Sequence, residues 1–537
     1  MSRYFVFAAV VFLAVIFAGL SFWQAWFLIG FFPLLAIALL GVWDVLQPRH
    51  AILRNYPVIG HMRWLFEGIR PEIRQYLIES ERDEEPFSRA ERSLVYQRAK
   101  GVEDKRPFGT RENVYGAGYA WLTHSMAPKP PNHPDFRVKI GGAACTQPYE
   151  ASVYNISAMS FGALSGNAIL ALNTGAKLGG FAHDTGEGSI SRYHRQGGGD
   201  LIWELGSGYF GRRLFSFGCR GADGRFDAAR FAEQAQAEQV KMIEVKLSQG
   251  AKPGHGGMLP AAKITPEIAE ARGIPMDQDC ISPAAHSAFS TPIEFMHFLQ
   301  GLRESSGGKP VGFKLCIGHR WEFMAMVKAM LETGIRPDFI VVDGKEGGTG
   351  AAPVEFADHL GTPLAEGLTF VRNTLIGAGL RDDIRLGAGG KLVSAFDLVF
   401  AHALGADWCN SARGFMFSIG CIQAQSCHTN RCPTGVATQD PLRQRALVVE
   451  DKAQRVARFH RNTLHALAEI VGAAGFDKPD DLQPRHIMVR QKSGETLSAE
   501  EAYWTLEKGA LVNGDCDKTE YTRFWDMARA ESFRPVG

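Results

Sequence analysis

The run Asp338-Phe-Ile-Val-Val-Asp343 leads into the glycine-rich loop Gly344-Lys-Glu-Gly-Gly-Thr-Gly350 and is the clearest indication of the architecture. Its β-branched and aromatic residues predict a buried strand, because they favour a pleated surface. Helical stretches separate it from five similar runs, at residues 153–159, 242–246, 311–315, 384–387 and 406–409. Strands that alternate with helices from about residue 150 to 475 predict a parallel sheet covered by helices.

Closure of that sheet into a (β/α)8 barrel of the TIM type is the favoured α/β architecture. Polar and glycine-rich segments repeatedly follow the predicted strands, which is where a barrel has its active-site face. A doubly wound sheet is the alternative, although no Gly-x-Gly-x-x-Gly opens a helix after the first strand.

The composition excludes several classes of protein. The chain has 58 Lys and Arg residues against 57 Asp and Glu residues, so its net charge of +1 gives no electrostatic footprint for nucleic acid. The chain of 537 residues contains nine cysteines, which are scattered apart from one group of three. We therefore expect a reducing compartment and a metal site, and not a disulfide framework.

The amino-terminal segment predicts a membrane hairpin. Residues 4–43 carry no charge, and their length is about twice the roughly 20 residues that cross a hydrocarbon core once. A polar and tryptophan-rich turn at 21–26 divides them into two spans. Arg3 precedes the first span and Arg49 and Arg54 follow the second, which places both ends and the catalytic domain on the cytoplasmic side of the inner membrane. A cleaved signal peptide is the alternative, disfavoured because a second long apolar span follows.

Two glycine-rich strand ends late in the chain predict a phosphate site. They are Gly387-Ala-Gly-Gly-Lys391 and Asn410-Ser-Ala-Arg-Gly414. Consecutive late loops with small residues and free backbone N–H groups are what a barrel uses to hold phosphate, although either loop alone could be a plain turn.

Lysines inside predicted strands form a second group. Lys246 and Lys314 end apolar runs, where a buried ammonium must be paired or have its pKa lowered. Either they extend to the barrel rim, or they place a cation beside an electron-rich ring or an anionic substrate. The loop 344–350 has few side chains, so its backbone could approach a flat cofactor.

Three cysteines form the third group. Cys421, Cys427 and Cys432 lie on one predicted loop. Their thiolates could bind an iron–sulfur cluster, or zinc with His428 as a fourth ligand, or they could be three unrelated buried cysteines.

Five segments together resemble the synthase domain of glutamate synthase, in the same order, over about residues 150–475. They are Ser157-Ala-Met-Ser-Phe-Gly-Ala-Leu-Ser165, Asp184-Thr-Gly-Glu-Gly188, Gln249-Gly-Ala-Lys-Pro-Gly254, Gly347-Gly-Thr-Gly350 and the cysteine segment 421–438. The resemblance implies a TIM-type barrel with FMN and one 3Fe-4S cluster. It also implies reduction of 2-iminoglutarate, formed from 2-oxoglutarate and ammonia, to L-glutamate.

The resemblance also implies roles for individual residues. It gives catalytic roles to Lys314 and Glu187, to which the pattern of lysines in strands adds Lys246. It gives substrate contacts to Lys252 and Arg272, with Met258 and Ser290 as further candidate contacts. It assigns the flavin to Met159, Ser160, Gln249, Lys314, Gly347 and Gly348, and the flavin phosphate to Gly389, Gly390, Ala412 and Arg413. It makes Cys421, Cys427 and Cys432 the cluster ligands, with Glu187 at the entry of ammonia.

The chain also departs from the family pattern. Met258 stands where the family has a glutamine, and the segment 281–291 leaves Ser290 and Thr291 as rival substrate contacts. A glutaminase domain, a glycine-repeat β-helix and a dinucleotide fingerprint are all missing from the sequence. We therefore expect a short, membrane-attached form whose electrons come from an external donor such as ferredoxin, with a separate amidotransferase as a candidate partner.

The expected segments are a transmembrane hairpin at 1–48, a collar or linker at 49–145, the barrel with its iron–sulfur loop at 146–475 and an extension at 476–537. Two other functions remain open. One is a different FMN oxidoreductase that acts on an oxo, hydroxy or amino acid. The other is a membrane-bound electron-transfer protein without substrate turnover, which retention of both Lys252 and Arg272 disfavours.

Overall fold

The computed structural model describes residues 3–80, 85–131, 134–211 and 216–536. The chain divides into two compact units, Met1–Arg89 and Ala90–Gly537. We describe each unit by itself.

The first unit is helical. Its helices are Phe5–Ser21, Phe27–Leu46, Ala51–Asn55 and His61–Ile73, and a π-helical turn follows at Arg74–Ile78. The first two helices pack antiparallel: a Cβ at Gly30 would meet the Phe17 ring, and one at Gly41 would meet the Phe7 ring. Within the described residues, one helix, Phe27–Leu46, is long and apolar enough to cross a membrane. Phe5–Ser21 is apolar but has only 17 residues, so the structure gives one clear span where the sequence predicts two.

The second unit contains a closed parallel barrel of eight strands. In chain order they are β1 Tyr154–Ile156, β2 His183–Asp184, β3 Leu201–Leu205, β4 Val240–Lys246, β5 Val311–Leu315, β6 Phe339–Asp343, β7 Arg385–Gly389 and β8 Trp408–Ser411. Each strand pairs with the next, and β8 pairs with β1 through Cys409 and Tyr154. The predicted parallel α/β barrel is confirmed, and closure excludes the doubly wound alternative.

Helices surround these strands. They include Gly166–Gly179, Ala228–Ala235, Pro292–Ser305, Arg320–Thr333, Leu364–Gly377, Ala395–Leu404 and Val449–Ala473. The other helices are Arg89–Lys100, which begins at the boundary between the units, and Arg192–Gly197, Pro266–Arg272, Val354–His359, Arg413–Ser418, Pro441–Arg445, Ala499–Tyr503, Ala510–Asn513 and Thr519–Met527. The sequence signals behind Gly166–Gly179 are clear: the Ser165 side chain accepts a hydrogen bond from the Ala168 N–H, and Gly180, with φ 66°, ends the helix in the left-handed region.

The amino-terminal end of the barrel is closed by apolar packing. The hairpin of Arg137–Ile140 and Tyr149–Ser152 precedes β1. Its residues pack with side chains near the start of the barrel strands, and the cluster comprises Val138, Ile140, Ala151, Ala182, Ile202, Met242, Phe339, Val341 and Trp408. Because this end is filled with apolar side chains, the polar residues of the strands collect at the other end.

Three further small sheets complete the unit. Ala120–Leu122 pairs with Ile487–Arg490, which pairs with Thr496–Ser498; Ile190–Ser191 pairs with Ser216–Phe217; and Met258–Leu259 pairs with Cys280–Ile281. The first of these sheets joins the segment before the barrel to the segment after it.

Candidate functional site

The predicted cofactor residues gather at the carboxyl ends of the barrel strands. Met159 and Ser160 follow β1, Gln249 follows β4, Gly347 and Gly348 follow β6, Gly389 ends β7, Gly390 follows it, and Ala412 and Arg413 follow β8. Parallel strands bring these loops to one face, which is the face where barrels of this kind bind their ligands.

Lys314 lies inside the barrel. Its ammonium is ion-paired with Glu204, lies 3.1 Å from Glu244 Oε1 and lies 3.9 Å from Asp184 Oδ2. Burial alone would lower the pKa of Lys314, but these carboxylates outweigh burial and raise it well above its usual value. Lys314 is therefore a permanent cation at the centre of the site, so the rim position considered from the sequence does not apply to it.

Three carboxylates surround the single ammonium of Lys314. Ligand atoms of Asp184, Glu204 and Glu244 all lie within 4.8 Å of one another. Burial raises the pKa of Glu244 to about 7, while the charge of Lys314 lowers it and that of Glu204 raises it. Burial and the charge of Glu244 likewise raise the pKa of Asp184. This cluster therefore holds protons near neutral pH.

Glu187 and Lys246 form a second pair beside this cluster. Lys246 Nζ lies 3.1 Å from Glu187 Oε2 and 3.9 Å from Glu204 Oε1. Burial would raise the pKa of Glu187, but the charges of Lys246, Arg272 and Lys252 outweigh it and hold that pKa below its usual value. Glu187 is therefore an ionised carboxylate surrounded by three cations.

Glycines allow the loops to close around Glu187. A Cβ at Gly257 would overlap the Glu187 carboxylate, and one at Gly206 would lie 2.7 Å from the Glu187 Cβ. A Cβ at Gly256 would collide with the Ser282 carbonyl oxygen. The Gly256-Gly257 pair thus brings the segment that carries Met258 against Glu187.

Lys252 and Arg272 are both buried cations. Lys252 Nζ donates to the Ala351 carbonyl at 3.1 Å, and burial lowers the pKa of Lys252 to about 8 against the charge of Glu187, which raises it. Arg272 Nη2 donates to the Phe161 carbonyl at 3.1 Å, and its guanidinium stacks 5.0 Å from the centre of the Phe210 ring. The structure thus brings both predicted substrate cations within electrostatic reach of Glu187.

The other two predicted substrate residues, Met258 and Ser290, have different surroundings. Met258 pairs with Ile281 in a short antiparallel pair of strands and is half-buried next to Gly257. Ser290 is exposed, and its hydroxyl and backbone N–H both donate to Glu294 at the start of the helix Pro292–Ser305. Ser290 therefore contributes to a helix start, and its contact is Glu294 rather than another predicted site residue.

The loop after β4 meets the ends of β6 and β7. Gly250 N–H donates to Asp343 Oδ2 at 2.8 Å, and a Cβ at Gly389 would lie 3.0 Å from Asp343 Oδ1. Arg413 Nη1 is buried and has no hydrogen-bond partner among the described residues. The guanidinium of Arg413 lies 5.9 Å from the centre of the Phe417 ring, and its buried, unpaired nitrogen could donate to an anionic group such as phosphate.

Glu346 is a carboxylate beside the predicted phosphate loop that the sequence analysis did not identify. It accepts hydrogen bonds from the Leu364 N–H at 2.9 and 3.1 Å and lies close to Gly390. Burial raises the pKa of Glu346, and the backbone N–H of Leu364 is among the groups that lower it.

The three predicted cluster ligands share one electrostatic environment. Cys421 and Cys432 are buried and Cys427 is half-buried. Burial raises the pKa of Cys421 to about 11; Arg413 lowers it, and Cys427 and Cys432 raise it further. For Cys432, burial also raises the pKa, but backbone N–H groups, the first of them at Ala437, bring it below its usual value. Cys427 and Cys432 therefore lie near enough to Cys421 to affect its pKa.

Lys263 is the functional-looking residue that the sequence analysis missed. It is buried, and its Nζ donates to the Ala163 carbonyl and, at 3.3 Å, to the Cys427 carbonyl. Burial lowers the pKa of Lys263 to about 8, while Cys427 and Cys432 raise it. The sequence offered one signal for Lys263. It follows Lys252 by eleven positions, in the segment that carries both predicted substrate cations.

The fold and the site define a (β/α)8 barrel enzyme whose carboxyl-end face combines buried cations, coupled carboxylates and a cysteine loop. The model of the family described as the conserved region in glutamate synthase matches residues 144–477. The chain is 37% identical over 515 residues to the glutamate synthase large subunit-like protein YerD of Bacillus subtilis, which covers 88% of this chain and 96% of that protein. The chain belongs to the glutamate synthase family, and it is an oxidoreductase of the class that acts on CH–NH2 groups.

Other relatives are matched over part of their length. The archaeal glutamate synthase (NADPH) of Methanocaldococcus jannaschii is 34% identical over 329 residues, which are 61% of this chain and 60% of that protein. The ferredoxin-dependent glutamate synthase of Pyropia yezoensis is 33% identical over 255 residues, which are 47% of this chain and 16% of that protein. A solved mutant flavocytochrome b2 with pyruvate bound covers 84% of this chain and 90% of its own, at 11% identity and a TM-score of 0.42, which is too weak a likeness to bear on function.

Proposed function

We propose that the chain reduces 2-iminoglutarate, formed from 2-oxoglutarate and ammonia, to L-glutamate. The observation that carries the proposal is the placement of Lys252 and Arg272 around Glu187, whose pKa both cations lower. Two buried cations suit the two carboxylates of a dicarboxylic oxo acid, because charge-assisted hydrogen bonds to carboxylates are the strong ones. An electron relay would need neither cation.

The proposed cofactors are FMN and a 3Fe-4S cluster. The buried, unpaired Nη1 of Arg413 and the glycines at the end of β7 support FMN, with its phosphate held by Gly389, Gly390, Ala412 and Arg413. The grouping of Cys421, Cys427 and Cys432 supports a cluster with three thiolate ligands. When bound, the flavin would supply the hydride and the cluster would pass it electrons one at a time from an external donor such as ferredoxin.

The residues of the chain would bind, orient and hold protons. Lys252 and Arg272 fix the substrate carboxylates, so that the carbon to be reduced keeps one orientation. Glu187, held ionised, accepts a hydrogen bond from ammonia or from the iminium nitrogen at its carboxylate oxygens. Lys246 keeps Glu187 in place, and Lys314 supplies a fixed positive charge at the base of the site.

An anaerobic assay tests the proposal. Protein reduced with dithionite or ferredoxin is mixed with 2-oxoglutarate and ammonium, and flavin reoxidation and glutamate are followed together. We expect both signals, and we expect glutamate to require ammonium. Reoxidation without glutamate would favour a different FMN oxidoreductase, and a flavin that ignores every oxo, hydroxy and amino acid offered would favour the electron-transfer function.

A second substrate class has one specific observation in its favour. Met258, which replaces the family's glutamine, is held beside Glu187 by the packing of Gly257. A thioether cannot donate the hydrogen bond that an amide donates to a carboxylate or carbonyl. An oxo acid with a more apolar side chain is therefore the second candidate.

We also propose that the amino-terminal unit attaches the enzyme to the inner membrane with the barrel in the cytoplasm. The length and apolar surface of Phe27–Leu46 support one span. Phe5–Ser21, at 1.5 Å per residue, is about 26 Å long against a core of about 30 Å, so a second span requires slight thinning or flanking polar residues. Reporter fusions at residue 24 and at the carboxyl terminus should lie on opposite sides of the membrane; the same side for both would contradict two spans.

The segment boundaries at 48, 145 and 475 and a separate amidotransferase as ammonia source remain parts of this proposal. Ammonium can replace an amidotransferase in the assay above. Glutamine-dependent glutamate formation by the purified chain alone would contradict the expected need for a separate partner.

A further inference from the structure

The helix His61–Ile73 and the π-helical turn Arg74–Ile78 carry an apolar face that is exposed to solvent. Leu65 is 59% exposed and Phe66 is 53% exposed, which is unusual for two neighbouring large apolar side chains. Their face recurs at helical spacing and comprises Met62, Leu65, Phe66, Ile69, Ile73 and Tyr76. The sequence analysis placed this segment in the collar and gave it no role.

The neighbouring flank of the same helix is basic. Arg63, Arg70 and Arg74 follow one another at spacings of seven and four residues, so they share a side of the helix. Over the whole segment 47–78 there are five arginines against two glutamates. A large apolar face with arginines beside it is typical of a helix that lies in a membrane interface, where the arginines meet anionic headgroups.

A hydrogen bond to a buried carboxyl group ties the start of this helix to the end of the apolar helix. His61 Nε2 lies 2.8 Å from Asp44 Oδ1, and the Val58 N–H donates to Asp44 Oδ2 at 2.9 Å. Asp44 is fully buried in the last turn of Phe27–Leu46, and His61 is the first residue of the amphipathic helix. If Phe27–Leu46 crosses a bilayer, the amphipathic helix must therefore begin at the depth where that span ends, which is the interface.

We propose that the segment His61–Ile78 is an interfacial helix that lies in the plane of the bilayer, with its apolar face in the acyl boundary and its arginines at anionic headgroups. The inference rests on the proposed membrane attachment and adds a second contact with the same surface. Lipid acyl chains would then cover the exposed apolar face, because the neighbouring span holds this helix at the membrane surface.

Photocrosslinking of the full chain in vesicles of phosphatidylglycerol and phosphatidylcholine tests the proposal. Phe66 is replaced by p-benzoylphenylalanine, which preserves an aromatic ring, and Glu67, which pairs with Arg63 outside the apolar face, is replaced in a second variant as the adjacent control. Phe32, exposed in the second turn of Phe27–Leu46, is replaced in a third variant as the reference for the span. We expect lipid adducts at position 66 to exceed those at position 67 by about tenfold, because an interfacial helix buries only one face.

The products separate the outcomes. Lipid adducts at position 32 without any at position 66 would overturn the interfacial helix while leaving the span intact. An absence of lipid adducts at position 32 would overturn the membrane attachment itself. A covalent dimer, or a crosslink from position 66 to another protein or to the barrel of the same chain, would show that protein covers this face and would also overturn the proposal. Replacement of Ile69 in the same way repeats the test if the Phe66 variant is unstable.

Discussion

The Nζ atom of Lys263 lies 3.3 Å from the carbonyl oxygen of Cys427, although the two residues are 164 positions apart in the chain. The same ammonium donates to the Ala163 carbonyl, in the loop that follows β1. Gln439, just beyond the cysteine loop, donates to the Gly162 and Leu164 carbonyls of that loop at 3.1 and 2.8 Å. Lys263 and Gln439 therefore hold the cysteine loop and the predicted flavin loop in one fixed arrangement.

Replacement of Lys263 by methionine should lower the reduction potential of the proposed cluster by tens of millivolts. A nearby cation stabilises the reduced, more negative state, so its removal makes reduction harder. The measurement is a redox titration followed by electron paramagnetic resonance, and Lys263→Arg should restore most of the potential. Lys309→Met is the matched control, because Lys309 is also buried and also donates to two carbonyls, at Ala235 and Ala237. Equal effects of both variants would indicate a general loss of packing.

Replacement of Cys427 by serine should remove the cluster while FMN stays bound, since the glycine-rich loops after β7 and β8 carry the proposed phosphate site. The wild-type protein should contain about three irons per chain, because three thiolates suit a 3Fe-4S cluster. Iron, zinc and released flavin are measured on both proteins, with Cys516→Ser as the control outside the loop. Zinc in place of iron in the wild type would contradict the iron–sulfur assignment.

The parts of the fold that could be predicted from the sequence are those with long apolar runs. Val311–Leu315 matches its prediction to the residue, whereas β2 and β3 were missed. His183–Asp184 has only two residues, and Leu201–Leu205 contains Glu204, a charge that argues against a buried strand until Lys314 is placed opposite it. In both cases a contact across the barrel decides the structure, and such a contact is not visible in a local pattern.

The same limit applies to the site. Cysteine spacing and glycine-rich loops are local signals, so the cysteine group and the strand-end residues could be predicted. The roles of Glu204 and Asp184 could not, because both depend on Lys314, which lies on another strand. Ser290, chosen on a resemblance in sequence, hydrogen bonds to Glu294 four positions away.

Replacement of Arg272 by alanine should weaken 2-oxoglutarate binding by more than about tenfold, because loss of one partner of a buried charge pair costs about 2 to 5 kcal/mol. FMN content should stay normal, since Arg272 contacts the Phe161 carbonyl and the Phe210 ring. Binding is measured by the perturbation of the flavin spectrum. Arg192→Ala, which removes an exposed pair with Glu267, is the control and should leave binding unchanged. Equal binding by Arg272→Ala and wild type would remove Arg272 from the substrate site.

Replacement of Glu244 by glutamine should change how stability depends on pH. The folded-state pKa of Glu244 is raised from 4.5 to about 7, so its favourable contribution is complete below pH 4.5 and is lost as the pH rises through 7. The wild type should therefore lose stability relative to Glu244→Gln between pH 5 and 8, by about 3 kcal/mol at most, since one pKa unit corresponds to about 1.4 kcal/mol. Thermal unfolding of both proteins across this range measures the difference. A difference that does not vary with pH would show that Glu244 stays charged throughout.

Replacement of Met258 by glutamine separates the two candidate substrate classes. The backbone at position 257 lies against the Glu187 carboxylate, which brings residue 258 into the neighbourhood of Glu187. If the substrate is 2-oxoglutarate, the new amide should add one hydrogen bond and tighten binding by about 1 kcal/mol, or roughly fivefold. If the enzyme has moved to an oxo acid with a more apolar side chain, the same change should weaken the native reaction, because it puts a polar amide against an apolar group.

The ratio of kcat/KM for 2-oxoglutarate to that for a branched-chain oxo acid is measured in wild type and variant, with Met258→Leu as the apolar control. A ratio that rises in Met258→Gln and stays constant in Met258→Leu supports contact between position 258 and the substrate. A ratio that is equal in all three proteins would place Met258 outside the pocket.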